Sequence, residues 1–369
     1  MRPDTVLETL QQAGFEAWYA GGCVRDTLLG RPVHDWDVTT AALPEQVMAL
    51  FPKTVPTGLK HGTVTVLCGG EAVEVTTFRT ETGYHDGRHP DAVRFVRSLR
   101  EDTARRDFTV NAMAMDQHGT VRDYHGGRAD LAAQLLRCVG GPERRFREDA
   151  LRMLRCCRFA AQLGFSVHPD TWSALIRCAP LCAGLSRERI TEELTKTLCS
   201  PRPEWAGTMI GTGLLASCGL TGTHDLSGLA ALPDTPEARW AGLGIALPAL
   251  RYEAFLLPAK RVRLCEAARR CWAPGRDRLA WKRLIAAEGP ETAGLLAAME
   301  GTDAVPALLA SGECLSLRTL AVTGRDLPGL TGPALGQTLH ALLEHVLLHP
   351  EDNRREVLLA LAEKIGRPS

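Results

Sequence analysis

The 369-residue chain lacks any apolar run approaching the ~20 residues that a membrane-spanning helix needs. Its N-terminus, MRPDTVLETL, lacks the apolar segment of a secretory signal, so a cytoplasmic protein with no membrane partner is expected. Net charge is also missing, because Lys+Arg and Asp+Glu both number 43. That excludes a histone-like polycation but not an RNA partner, since charge can be segregated along a chain. Twelve cysteines include no C-x-x-C pair. They read as reduced, buried small hydrophobes rather than disulfides or zinc ligands. His61, His85 and His89 fit no common zinc spacing. Internal repeats and low-complexity segments are absent too.

What is present divides in two. The length exceeds a single core, since domains run roughly 100–200 residues. The first third mixes periods. Residues 4–13 read as a helix, Ala17–Ala20 as a strand, Asp26–Leu29 as a helix stopped by Gly30, Trp36–Val38 as a strand and Pro44–Leu50 as a helix. Thr63–Cys68 and Ala72–Phe78 read as a hairpin across Gly69-Gly70, and Val93–Val96 as a further strand. Thr109–Met115 has an apolar spacing that predicts a helix. From about Leu131 onward strand signals nearly vanish, leaving helices punctuated by Gly and Pro. The expected fold class is α+β: a mixed-sheet head followed by an all-helical remainder.

Chemistry concentrates in GGCVRDTLLGRPVHDWD. Gly21-Gly22 ends a strand and opens a helix, where a backbone without Cβ atoms and free N-terminal amides favours phosphate. Arg25 lies one turn on and can reach the same anion. Asp35 and Asp37 are two apart, so on a strand their carboxylates converge. Two hard oxygen ligands suit Mg²⁺, which keeps its other positions for water and substrate phosphates. Glu74, on a nearby strand, is a third candidate carboxylate. A D-x-D pair alone is most often a solvated strand end; the combination with Gly-Gly and the later acid makes it informative.

This combination resembles the polymerase β-like nucleotidyltransferase superfamily. The segment as written is similar to the motif of its bacterial class II branch of tRNA CCA-adding enzymes and poly(A) polymerases. The resemblance implies that Asp35 and Asp37 hold metal ions, with Gly22 and Arg25 on the nucleotide phosphates. It implies a head over 1–136, a neck over 137–200 that selects the base, a helical body over 201–285 and a tRNA-binding tail over 286–369.

A second stretch, EDALRMLRCCRFAAQLGF, forms an apolar stripe when read as a helix, with Arg152, Arg155 and Arg158 off the stripe. Between Arg137 and Arg158 seven arginines face three acids, with no lysine. Asp149 and Arg152 are three apart, which by spacing alone predicts a surface ion pair. The resemblance implies a different role, in which Asp149 and Arg152 read the Watson–Crick edge of CTP or ATP and Arg155 and Arg158 continue that face. A carboxylate accepts from the exocyclic amine that both C and A carry.

Other segments are similar to family motifs. RRDFTVNAMAM resembles the motif before the second half of the head, which implies that Arg106 contacts the triphosphate and that Asp107 helps orient the sugar and the neighbouring arginines. FRTETGYHDGRHPD resembles the flexible loop that helps the pocket switch from C to A, at Arg79, Glu81, Tyr84, Asp86 and Arg88. LSRERITEELTKTL starts with Ser186 as expected N-cap and reads as a packing helix. His224-Asp225 lacks the second pair of a phosphohydrolase. The implied activity is untemplated addition of C, C and A from CTP and ATP to the tRNA 3′ end. The alternatives are a poly(A) polymerase, a CC-only or A-only enzyme, and a tRNA-binding protein without catalysis. Oligomeric state is not legible, because an interface and a core stripe look alike.

Overall fold

The computed structural model describes residues 3–82 and 92–365. The chain falls into two compact units, Met1–Asp225 and Leu226–Ser369. Within the first, a seven-stranded sheet forms the head. Its elements are α1 (Asp4–Gln12), β1 (Ala17–Ala20), α2 (Gly22–Leu28), β2 (Asp37–Thr40), α3 (Pro44–Leu50), β3 (Thr54–Gly58), β4 (Thr63–Cys68), β5 (Glu71–Thr77), β6 (Arg79–Thr82), β7 (Ala92–Phe95), α4 (Leu99–Ala104), β8 (Met113–Met115), β9 (Val121–Asp123) and α5 (Gly127–Ala132). The sheet order is β3-β4-β5-β2-β1-β8-β9, while β6 and β7 pair separately. The sheet is mixed: β2 runs parallel to β5 and antiparallel to β1.

The β4–β5 hairpin turns on two residues, with Cys68 opposite Glu71. Gly69 and Gly70 adopt φ of 60° and 85°. Two consecutive positive φ values match the right-handed twist of the flanking strands, and only glycine adopts them without cost. α1 buries Val6, Leu7 and Leu10, its i, i+1, i+4 face, and Asp4 accepts a hydrogen bond from the Tyr19 hydroxyl at 2.9 Å.

Past the head come β10 (Leu135–Leu136), α6 (Pro142–Glu148), α7 (Leu151–Leu163), β11 (Ser166–Val167), α8 (Pro169–Cys178), α9 (Arg187–Leu198) and α10 (Trp205–Gly211). The second unit contains α11 (Pro236–Ala246), α12 (Ala259–Cys271), α13 (Arg278–Glu300, broken at Gly289), α14 (Ala304–Ala310), α15 (Gly332–Leu348) and α16 (Arg355–Ile365). Among the described residues no helix is long and apolar enough to cross a membrane. All twelve cysteines are free.

The structure corrects several expectations. Thr109–Met115 is not a helix. It is a short 3₁₀ turn over Thr109–Asn111 followed by strand β8. Every residue of β8 is buried between β1 and β9, so both faces are apolar and the alternation that marks a strand is erased. α2 begins at Gly22 rather than Asp26. The helix assigned to EDALRMLRCC breaks at Asp149, whose backbone is extended with φ −146° and ψ 108°. Ser186 sits at the N-cap of α9, but its side chain makes no capping bond and its buried hydroxyl has no partner.

Candidate active site

One polar cleft of roughly 1320 Å³ lies within the first unit, lined by residues from α2, β2, β5, α7 and α9. Strand β2 delivers Asp37 at its first residue; Asp35 precedes the strand rather than lying on it. Both line the cleft. Parallel pairing sets Asp37 in register with Glu74 of β5, so the two side chains share a face. Burial, then Glu74 and Asp35 nearby, push the Asp37 carboxyl up to about 6, against the opposing pull of Arg106. Carboxylates crowded in this way are relieved by a cation. Among the described residues no three His, Cys, Asp or Glu side chains gather closely enough to complete a metal site by themselves.

Gly21 carries φ 84° and ψ −135° at the turn from β1 into α2. A Cβ there would stand 2.9 Å from a terminal nitrogen of Arg106, so the absence of a side chain at Gly21 leaves room for this guanidinium. The Arg106 Nε is buried and has no hydrogen-bond partner. Its terminal nitrogen approaches the Asp102 carboxylate at 3.5 Å. Arg25 is buried: Nε and a terminal nitrogen donate to Asp26 at 2.9 and 2.8 Å, and the other terminal nitrogen to Asn111 at 2.7 Å. Arg25 thus borders the cleft with its donors already engaged.

The arginines of α7 are equally committed. Arg155 donates to Asp107 at 2.8 and 2.6 Å. Burial alone would raise the Asp107 carboxyl, but Arg155 and the Phe108 amide bring it down to about 2. Arg158 donates to Glu193 of α9 at 2.6 Å and stacks on Phe159, 4.1 Å from the ring centre.

Asp149 and Arg152 do not form the ion pair that their spacing predicts. The backbone break at Asp149 separates them, and each finds other partners. Asp149 accepts from Arg189 at 3.2 and 2.8 Å and from the Leu151 amide at 3.0 Å. Arg152 donates to Glu148 at 2.7 Å and to the carbonyls of Arg145 and Arg105 at 3.1 Å each. Both still line the cleft beside Arg155, Arg158 and Arg189. Arg189 was read from sequence only as a packing residue. The signal that could have found it was its four-residue spacing from Glu193, which puts both on the α9 face toward α7.

Asp102 was also missed. It is fully buried and accepts from the Thr39 hydroxyl at 3.1 Å, the Arg79 amide at 3.2 Å and Arg105 Nε at 3.0 Å. The Arg79 guanidinium donates to the His61 carbonyl. Of the loop residues, Tyr84, Asp86 and Arg88 lie outside the described residues, and Glu81 falls on β6. His224 bonds only the Thr221 carbonyl, at 2.9 Å.

Comparison with known proteins places these features. A family model for the "Poly A polymerase head domain" matches residues 17–137, and one described as "Probable RNA and SrmB- binding site of polymerase A" matches residues 164–218. The CCA-adding enzyme of Geobacillus stearothermophilus is 49% identical over 258 residues, covering 68% of this chain and 64% of that protein's length. This matched stretch spans less than two thirds of that relative. The CCA-adding enzyme of Lactiplantibacillus plantarum is 39% identical across 98% of this chain and 95% of its own length. A crystal structure of the Bacillus stearothermophilus CCA-adding enzyme in complex with CTP superposes with TM-score 0.85 at 39% identity, covering 99% of this chain and 98% of that one. With near-complete coverage of both chains in the second of these relatives, the chain belongs to the CCA-adding enzyme family of nucleotidyltransferases.

Proposed function

We propose that this chain adds C, C and A, without a template, to the 3′ end of tRNA from CTP and ATP, releasing pyrophosphate. The observation that carries this reading is one cleft lined by two different groups. One is Asp35, Asp37 and Glu74; the other is Asp149, Arg152 and Arg189. The first suits phosphoryl chemistry and the second suits a base edge.

In this reading Asp35 and Asp37 hold Mg²⁺. When bound, the metal supplies charge neutralisation for the triphosphate and lowers the pKa of the attacking 3′-hydroxyl. Glu74 crowds Asp37 and so keeps the pair avid for a cation. Arg106, beside Gly21 with its Nε uncommitted, receives phosphate oxygens; Gly22 allows close backbone approach. Arg25, Arg155 and Arg158 hold the wall of the cleft through Asp26, Asp107 and Glu193. Asp149 accepts from the exocyclic amine of C or A, and Arg152 donates to the ring nitrogen or carbonyl beside it. Arg189 holds the Asp149 carboxylate in place through two hydrogen bonds. The part assigned to Arg79, Glu81, Tyr84, Asp86 and Arg88 is adapting the pocket from C to A. The helical unit after Asp225 contributes tRNA-binding surface, and the protein works in the cytoplasm, where tRNA is matured.

Relatives named as CCA-adding enzymes, and the CTP complex of one of them, support this reading. The test is incorporation of labelled CTP and ATP into tRNA lacking its 3′ terminus, followed by sequencing of the products. Addition of C-C-A that stops there is the expected result. A-tails alone, or C-C alone with both nucleotides present, would replace this reading with a poly(A) or a CC-adding activity. Asp35→Ala should abolish transfer of both nucleotides while tRNA still binds; retained transfer would refute its metal role.

A further inference from the structure

The cleft arginines are all engaged by carboxylates or carbonyls. A second group of arginines on the head is not. Arg97, Arg100, Arg122 and Arg128 are exposed, and among the described residues none of their guanidiniums meets a carboxylate. Two of them lie instead over aromatic rings. The Arg100 guanidinium is 5.9 Å from the ring centre of Tyr124, and that of Arg122 is 5.7 Å from the ring of Trp18.

The group is one surface. Phe78, Leu99 and Ala114 form a small buried cluster against which Trp18 and Val96 pack. Arg97 follows Val96, Arg100 follows Leu99, and Arg122 is the cross-strand partner of Ala114. Tyr124 lies two residues beyond Arg122, on the same side of the chain. Arg128, the second residue of α5, closes the turn that Asp123 ties down.

The carboxylates on these elements cancel this charge only in part. Asp123 accepts from the amides of His125, Gly127 and Arg128, and Glu16 from the Trp18 indole at 2.9 Å, so both keep their charge. Asp102 is buried and turned to Arg105 and Arg106. With Glu101, exposed on α4, three acids stand near the four arginines, which leaves a positive excess.

We propose that this arc of arginines and aromatic rings binds the phosphodiester backbone of the RNA whose 3′ end enters the cleft. The proposal rests on the tRNA reading above. A guanidinium held over a ring loses less freedom on binding than a free one and keeps N–H groups available for contact with phosphate. Tyr124, 42% exposed, also offers a face on which a base can stack. Helix α4 joins the arc to the cleft, with Arg97 and Arg100 at its start and Arg105 and Arg106 just past its end. Six residues rise only about 9 Å, so a strand engaged on the arc lies within a few nucleotides of the reacting end.

The test uses the full chain and a fluorescent tRNA lacking its CCA terminus, with affinity measured across a potassium chloride series. R100E/R122E should weaken binding about tenfold to a hundredfold and reduce the slope of log K against log salt by roughly one to two, as expected for the loss of two phosphate contacts. KM for tRNA should rise by a similar factor while kcat at saturating tRNA is retained. R100K/R122K, which keeps the charge, should stay within a few-fold of the parent. Circular dichroism melts confirm that the variants fold. Unchanged affinity and slope in R100E/R122E would overturn the proposal. A parent chain that binds tRNA but incorporates neither nucleotide would overturn the catalytic reading instead, and the salt series would still decide the arc.

Discussion

Arg189 grips the Asp149 carboxylate through two terminal nitrogens, 3.2 and 2.8 Å away. Without that grip Asp149 keeps only the Leu151 amide, and its carboxylate is free to rotate off the base edge. Charge-assisted bonds to a fixed acceptor are worth about 1.5–3 kcal/mol. Arg189→Ala should therefore lower discrimination against UTP and GTP about tenfold or more, with CTP addition falling less. Competition assays with all four nucleotides read this directly, and unchanged selectivity would refute the positioning role. Asp107 makes a different kind of residue-scale prediction. Its carboxyl is held at about 2 by Arg155 in spite of burial, whereas an unfolded Asp titrates near ~3.9. A depressed folded value contributes stability that is complete above about pH 4 and is lost as pH falls toward 2. The shift corresponds to about 2–3 kcal/mol. Asp107→Asn should then destabilise the protein by about that amount at neutral pH, and the gap in urea midpoints should close between pH 4 and pH 2. A gap independent of pH would show that the Asp107–Arg155 pair is not its source.

At the scale of elements, local chemistry decided what could be read from sequence. The β4–β5 hairpin is written in Gly69-Gly70, and α3 in the proline at its first position, because both signals act within a few residues. The carboxylates of the cleft were legible for the same reason: Gly21-Gly22, Asp35 and Asp37 fall within one strand–helix–strand unit. Strand β8 was not legible, since Met113, Ala114 and Met115 are buried on both faces and a doubly covered strand has no alternation to detect. The base-reading group was half legible. Asp149 and Arg152 were found through their motif, yet spacing along a presumed continuous helix gave them the wrong partners. The extended backbone at Asp149 hands its carboxylate to Arg189, forty residues away. A contact between α7 and α9 has no local signature, so neither Arg189 nor the Arg158–Glu193 pair could be placed before the helices were packed.

The whole molecule divides its labour along the chain. Every residue lining the cleft, from Gly21 to Lys196, belongs to the unit that ends at Asp225. The helices after it have a core of their own, in which Trp240, Tyr252 and Phe255 pack together. Gly244 on α11 is its tightest point. A Cβ there would stand 1.9 Å from the Tyr252 hydroxyl oxygen, which donates to the Trp240 carbonyl at 3.2 Å. Gly244→Ala must push the buried tyrosine aside, and overpacking of this kind costs about 1–3 kcal/mol or more. If the second unit is stabilised by its own core, that cost falls on it alone. Differential scanning calorimetry should then show a transition lowered by roughly 3–10 °C, while CTP affinity below that transition matches the parent, because no cleft residue has moved. A parallel loss of CTP affinity in the fully folded variant would sink this division: it would mean that the packing of α11 reaches the nucleotide site, and that the two units fold and function as one.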